Sequence, residues 1–470
     1  MVLERVFANL VEWVVRPSVG SAWRRHIVAL GRKISSLTWF IPIIEQYVSR
    51  RLEPLGGSSV TPDRVKLLVL NCERFMPDLK ELSRHCDIEL VSLPSNVQHL
   101  VNAIFLSGIG DITNSDPDAY LRAENVRIQE ARQGLNAFLQ RLLPCLARKN
   151  HIDAIITCAF YYGQDREWES AAPKAGIPFF CLHKENMKDE PVHQSTIVRY
   201  QARHFQFTGT RLFVYNNHEA SLIEQAGVCE STRIETVGAL RLDSLFSDIQ
   251  RGLYQNPGRQ VVLFSFHHYV GLLQPTQSNG FFSDDPHEGF VEYFALVHAA
   301  IAELACEYSD IRFHIKPKWG GHWIERIKDS IQRKTKIDPE SLPNLTISLD
   351  VTAQELIKNS AVVIGINSTT LLEAKLARRP VIIPLFAEAA GKYFRDHVYF
   401  KKYFETFRVA HSPEEMKYAI IAQLNATEPT LPSISNEMVK DFLGYFDGHV
   451  SNRIVEKMKD DIVLARQRSR

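Results

Sequence analysis

The sequence predicts an α/β protein of two doubly wound domains behind a helical appendage. Short apolar runs recur between helical patterns at the spacing of parallel strands, the series stops near residue 245 and restarts near residue 260, and a basic, tryptophan-bearing stretch precedes it. A chain of 470 residues, 45% of them hydrophobic, can bury more than one large core, given about 150 residues per domain. We divide it into a helical, basic amphipathic appendage at 1–60, a first Rossmann-like domain at 61–245, a second at 246–430, and a C-terminal helical segment at 431–470. The two Rossmann-like domains are expected to face each other. The last segment either caps the second domain or crosses back to the first.

In the appendage, Arg5, Arg16, Arg24, Arg25, Arg32, Lys33, Arg50 and Arg51 interleave with Phe7, Trp13, Trp23, Trp39, Phe40, Ile41 and Ile44. Such a segment over residues 1–51 can lie on an anionic membrane surface, or pack on the body of the protein or on a second subunit in a homo-oligomer. No apolar run is long enough for a spanning helix, and the first stretch is broken by Glu4, Arg5, Glu12 and Arg16, unlike a signal peptide. A cytoplasmic location is expected, peripheral on the inner face of a bacterial membrane if the appendage binds lipid. The 55 basic and 54 acidic residues nearly cancel, so no global field draws in nucleic acid. Seven scattered cysteines lack the paired spacings of a metal centre, and none is expected.

Helical periodicity gives way at Pro54 to Pro62, where Gly56, Gly57, Ser58 and Ser59 form a connection. Val65 to Leu70 (VKLLVL) and Ile88 to Leu93 (IELVSL) read as buried strands joined by a helix over Pro77 to His85. A long helical pattern, Asp118 to Lys149, precedes a strand at Ala154 to Cys158, then the polar and aromatic run FYYGQDREWE and a strand at Pro178 to Leu182. Leu212 to Tyr215, a helix over His218 to Ala226 and Ile234 to Val237 complete the first sheet. In the second domain the strand candidates are Val261 to Ser265, Ile311 to Ile315, Leu345 to Ser348, Ala361 to Ile366 and Val381 to Pro384, with helices over Phe290 to Tyr308, Ala353 to Asn359 and Thr370 to Ala377. Ser435 to Arg470 is helical.

Open parallel sheets bind ligands beyond the carboxyl ends of their strands, so strand-exit loops are where chemistry is sought. In VIGINSTTLLEAKLARRPVIIP, Ser368, Thr369 and Thr370 open a helix after a buried strand, with Glu373 in its first turns. Free amides and hydroxyls there can hold phosphate oxygens, and the carboxylate can accept from ribose hydroxyls. The alternative is that Ser368 only caps the helix and Glu373 faces solvent. In FHIKPKWGGHW, His314 and Lys316 sit at a strand exit and suit phosphate, as does His267 after VVLFSF; the alternative is a strand-end histidine with exposed lysine. CLHKE places His183 and Glu185 beyond a strand, as bases for an acceptor hydroxyl or as groups that fix the loop. Asp165, Arg166 and Glu167 can bind acceptor hydroxyls or form a solvated charged loop.

This arrangement resembles the GT-B superfamily of glycosyltransferases, in its bacterial surface-polysaccharide and capsule branch, and is also similar to the glycerophosphotransferases that use CDP-glycerol. ETVGALRLDSL looks like the signature closing their first domain, through Gly238, Arg241, Leu242 and Asp243; CLHKE looks like their acceptor-side loop, HIKP like a donor-phosphate segment, and INSTTLLEAKLARRPVIIP like their donor-binding strand, loop and helix. The likeness spans roughly residues 65–430, departs at Arg378 and Arg379 where a small residue is usual, and leaves 1–60 unexplained.

The resemblance implies a glycosyltransferase. A nucleotide-activated sugar of CMP, CDP or UDP type would bind the second domain through His314, Lys316, Ser368, Thr369 and Glu373, and a glycan or lipid-linked acceptor would meet His183 and Glu185. No further cofactor is implied. Alternatives are glycerophosphoryl transfer from CDP-glycerol, epimerisation or hydrolysis of a sugar nucleotide, and a non-catalytic nucleotide or carbohydrate binder.

Overall fold

The computed structural model describes residues 40–56, 64–106, 126–184, 206–255, 257–266, 290–391, 398–426 and 434–468. The chain forms two α/β units with Rossmann-like sheets. Residues 1–186, 197–243 and 443–470 make the first, and 187–196 with 244–442 the second.

The first unit opens with helix α1 (Phe40–Ser49), then strands β1 (Glu53–Leu55) and β2 (Val65–Leu70), helix α2 (Met76–Ser83), β3 (Ile88–Leu93), α3 (Ser95–Leu106), α4 (Val126–Asn150) and β4 (Ala154–Thr157). It continues through α5 (Arg166–Lys174), β5 (Phe179–Leu182), β6 (Arg211–Val214), α6 (Asn217–Gln225) and β7 (Ile234–Thr236). The sheet order is β1-β3-β2-β4-β5-β6-β7. Every pairing is parallel except that of β1 with β3.

Period-two alternation shows why these strands carry continuous apolar runs. Leu68 and Leu70 of β2 enter one core layer, and Val65, Leu67 and Val69 enter the layer on the opposite face. Helices α1, α3 and α4 cover the first face; α1 buries Phe40, Ile41, Ile44, Tyr47 and Val48 there, with the Phe40 and Phe138 rings 6.0 Å apart. Of the basic appendage, residues 40–49 are thus packed on the first unit, and residues 1–39 lie outside the described residues. Among the described residues no helix is long and apolar enough to cross a membrane.

The second face of that sheet is closed by the far end of the chain. The C-terminal helix of the first unit (Val450–Arg468) lays Val450, Ile454, Val455, Met458 and Ile462 on the layer built from β2 and β4. The segment ETVGALRLDSL receives it. A Cβ on Gly238, whose φ is +100°, would come within 2.9 Å of Val450, and the Asp243 carboxylate accepts from the Val450 and Ser451 amides at 3.2 and 2.8 Å. Arg211 adds a two-point ion pair to Asp461, at 2.6 and 2.8 Å.

After helix α7 (Asp243–Gln250), the second unit contains β8 (Gly258–Phe264), α8 (Val291–Glu307), β9 (Arg312–Lys316), α9 (His322–Thr335), β10 (Leu345–Ile347), α10 (Ala353–Asn359), β11 (Ser360–Gly365), α11 (Thr369–Leu376), β12 (Val381–Pro384), β13 (Arg408–Ala410) and α12 (Pro413–Asn425). Its strands run in the order β10-β9-β8-β11-β12-β13, all parallel. Val261 and Leu263 of β8 pack with Val362 and Ile364 of β11 beneath α8 and α12, while Val262 and Val363 are buried on the other face. The departing pair has a local cause. Arg378 takes a left-handed φ of 57° just past α11, and the Arg379 guanidinium donates to the Ile357 and Lys358 carbonyls at the end of α10, at 3.0 and 2.8 Å.

Candidate functional site

In an open parallel sheet the crevice for a ligand lies where the strand order reverses, because helices leaving the two central strands go to opposite faces. The first sheet reverses between β2 and β4, and protein fills that position. Asn71 follows β2 with φ 54° and donates to both Asp165 oxygens, at 2.8 and 2.6 Å; Thr157, ending β4, and Gln98 of α3 also donate to Asp165, at 2.6 and 2.8 Å. Burial pushes the Asp165 carboxyl above the usual range, opposed by those hydrogen bonds. Asp165 is 1% exposed, so its oxygens serve the protein.

Its neighbours are held likewise. Glu167 accepts from Arg132 at 2.8 Å and Asn136 at 3.2 Å, and Arg166 donates to the Gln206 carbonyl at 2.9 Å. His183 follows β5, fully buried, with Nε2 3.3 Å from a Glu219 oxygen on α6 and its ring 4.9 Å from that of Phe160. Glu185 lies outside the described residues, as does His267.

The second sheet reverses between β8 and β11. Phe264 pairs with Lys316 of β9 on one side and Gly365 of β11 on the other, so three strand exits share one row. Strands stand about 4.8 Å apart, which puts Lys316 and Gly365 roughly 10 Å from each other along one sheet edge. A Cβ on Gly365 would sit 3.1 Å from Leu371 and 3.3 Å from the Phe264 carbonyl, which is how the turn into α11 comes so close to β8. Asn367 then adopts φ 49° while its side-chain oxygen accepts from the Tyr399 amide at 2.9 Å. Ser368 caps α11, accepting from the Thr370 amide at 3.3 Å with its hydroxyl 2.7 Å from that of Thr370. Thr369 and Thr370 form the first turn; Glu373 is 5% exposed one turn on, so it does not stand in solvent.

His314 and Lys316 are tied to the loop after β10. The His314 Nε2–H points at the Ser348 carbonyl at 3.4 Å, and the Lys316 ammonium donates to the Leu349 and Val351 carbonyls at 3.1 and 2.6 Å. Burial lowers the pKa of both groups. A loop set by these bonds, a helix entrance presenting amides and hydroxyls, and one lysine charge can hold an anionic phosphate with an attached polar group. Among the described residues, one group of metal-ligating type comes together, His85, Cys86 and Asp87 within 4.8 Å. It stands before β3, at the opposite end of the sheet from the strand exits, and Asp87 is ion-paired with Lys459.

Sequence reasoning missed the buried pair Ser265 and His298, 2.8 Å apart, because a lone histidine in an apolar helical pattern reads as core. It also left the two tryptophans of KWGGHW unassigned, although their rings lie 5.6 Å apart beside Ser265.

No protein-family model matches the chain, and no curated protein matches it. Among solved structures it is similar to the UDP-GlcNAc 2-epimerase from Neisseria meningitidis bound to UDP-GlcNAc, with TM-score 0.46 and 12% identity over 84% of this chain and 100% of that one. It is also similar to the UDP-GlcNAc 2-epimerase from Methanocaldococcus jannaschii with UDP-GlcNAc and UDP, with TM-score 0.45 and 13% identity over 84% and 99%. A third is the S. aureus MnaA structure with UDP, with TM-score 0.47 and 12% identity over 84% and 96%.

These matches overturn the assignment to capsule or surface-polysaccharide glycosyltransferases, the likeness to CDP-glycerol enzymes, and sugar transfer to an acceptor as the activity. The motifs misled for a physical reason. The Gly238 to Asp243 signature secures the C-terminal helix, and a strand followed by a capped helix serves any anionic ligand, so neither specifies group transfer.

Proposed function

We propose that the second unit binds the diphosphate of a nucleotide sugar at the β8/β11 exits, and that the chain is an enzyme acting on that sugar without a separate acceptor, as a sugar-nucleotide epimerase. The observation that carries the reading is the shared row of Lys316, Phe264 and Gly365, which sets the Ser368-capped helix entrance at the reversal of the sheet. In this reading the amides and hydroxyls at Ser368, Thr369 and Thr370 receive phosphate oxygens, and His314 and Lys316 hold the β10 loop beside them. His267 is proposed as a further contact to that phosphate.

Inverting one sugar carbon requires a proton to leave one face and return to the other. Glu185 is the proposed proton carrier. His183, enclosed against Glu219, is proposed as a positioning residue on that loop.

UDP and UDP-GlcNAc, ligands of the similar structures, are the first probes. Incubation of the full chain with UDP-GlcNAc in deuterated water, followed by proton NMR of the recovered sugar nucleotide, is expected to show deuterium at the inverted carbon and a second epimer. Calorimetry without detectable heat for either compound would overturn the reading.

A further inference from the structure

The turn between α2 and β3 gathers three side chains of different donor chemistry, the imidazole of His85, the thiol of Cys86 and the carboxylate of Asp87, with one ligand atom of each lying within 4.8 Å of the others. Its backbone is fixed on both sides. The His85 carbonyl accepts from the Ile88 amide at 3.1 Å, which closes a four-residue turn, and the Asp87 carbonyl accepts from the Val65 amide at the start of β2 at 2.8 Å. Consecutive side chains that would splay apart in an extended chain are thereby held together.

Their lone pairs face one another. The Asp87 amide donates to His85 Nδ1 at 3.3 Å, so that nitrogen is an acceptor and carries no hydrogen. Cys86 Sγ stands 3.3 Å from Asp87 Oδ1 and donates its thiol hydrogen there. Sulfur and oxygen bound to one tetrahedral ion, at about 2.3 and 2.0 Å from it, are about 3.5 Å apart, so this pair already has the spacing of two ligands. The other carboxylate oxygen, Oδ2, accepts from the Lys459 ammonium of the C-terminal helix. That contact fixes the carboxylate with Oδ1 on the thiol side, as an outer partner does for a metal ligand. Cys86 is exposed and its two neighbours are half-buried, so an ion reaches the turn from solvent and water completes its shell.

We infer that His85, Cys86 and Asp87 form a binding site for a divalent ion of the zinc class. Imidazole and thiolate suit zinc, cobalt(II) and cadmium and not magnesium or calcium, and thiolate with carboxylate supplies two negative charges against the ion's two positive ones. On coordination the S–H bond breaks, its electron pair stays on sulfur and is shared with the metal, and the proton passes to water. The site stands at the opposite end of the first sheet from the strand exits, so it is independent of the nucleotide reading. Its effect is on the fold: the ion fastens the turn that Lys459 ties to the C-terminal helix, and an unfolded chain does not hold the three ligands together.

The test uses the full chain without an affinity tag, stripped of metal with EDTA and kept reduced with a phosphine. Cobalt(II) is the probe, because a thiolate bound to it gives a charge-transfer absorption in the near ultraviolet that imidazole and carboxylate ligands do not. A single cobalt ion showing this band, displaced by zinc and not by excess magnesium, is expected. Cys86→Ser is expected to abolish the band, and His85→Ala and Asp87→Asn each to weaken cobalt binding by about ten-fold or more. Wild type without the band overturns the site, whatever the variants do. So does a band that survives Cys86→Ser, which puts the thiolate at another cysteine, or a cobalt affinity that either His85→Ala or Asp87→Asn leaves unchanged.

Discussion

The carboxylate of Asp243 lies 2.8 Å from the amide of Ser451, and this contact joins the end of the first domain's sequence to the start of the C-terminal helix. The helix has its N-terminal amides met by a residue distant in sequence, a cap supplied from outside its own segment. Asp243→Ala is expected to destabilise the first unit by about 1 to 2 kcal/mol, the range for loss of a cap. Urea unfolding of the full chain checks this, with Asp243→Asn recovering part of the loss; unchanged melts would count against the cap.

Lys316 holds the loop after β10 through two carbonyls. Lys316→Met is expected to raise amide hydrogen exchange over residues 348–351 and to weaken UDP binding by about ten-fold, since it removes a charge and two charge-assisted bonds. Exchange rates that stay at wild-type values would show that the loop is fixed by other means.

Gly365 leaves no room for a side chain beneath the entrance to α11. Gly365→Ala is expected to displace that entrance and reduce UDP affinity several-fold while costing about 1 to 3 kcal/mol of stability. Calorimetry and thermal melts on the same preparation separate the two effects.

Glu169 of α5 is buried, and burial pushes its carboxyl up to about 7 from an ordinary 4.5, opposed by the Thr208 amide at 2.7 Å. Because the folded-state value is the higher one, the stability tied to this group is fully present below pH 4.5 and is lost as pH rises through 7. Glu169→Gln mimics the protonated acid and is expected to gain about 1 to 3 kcal/mol relative to wild type between pH 5 and pH 8. Paired melts across that range read the slope, and parallel curves would sink the assignment.

The strands of both sheets were legible because two-sided burial makes their sequences continuously apolar, as in VKLLVL and SAVVIG. Strands β1 and β13 were not, since three residues give neither a pattern; both survive at a sheet edge, where in β1 the amide missing at Pro54 costs little. The run GQDREWE reads as a charged loop, yet Asp165, Glu167 and Glu169 are all buried, because their partners Asn71, Gln98, Arg132 and Thr208 come from segments up to 94 residues away. The helix entrance at Ser368 was readable from its local order of strand, cap and helix. The buried contact of Ser265 with His298 was not, since a histidine in an apolar helical pattern carries no sign of its partner.

The part of the first sheet's face that residues 450–468 cover stays bare until those residues have been made. The second unit, contiguous in sequence apart from residues 187–196, has all its strands out of the ribosome before the first unit receives its last helix. Newly made molecules therefore carry an open greasy surface on the first unit until that helix has emerged, a window in which chaperones and misassembly compete for it.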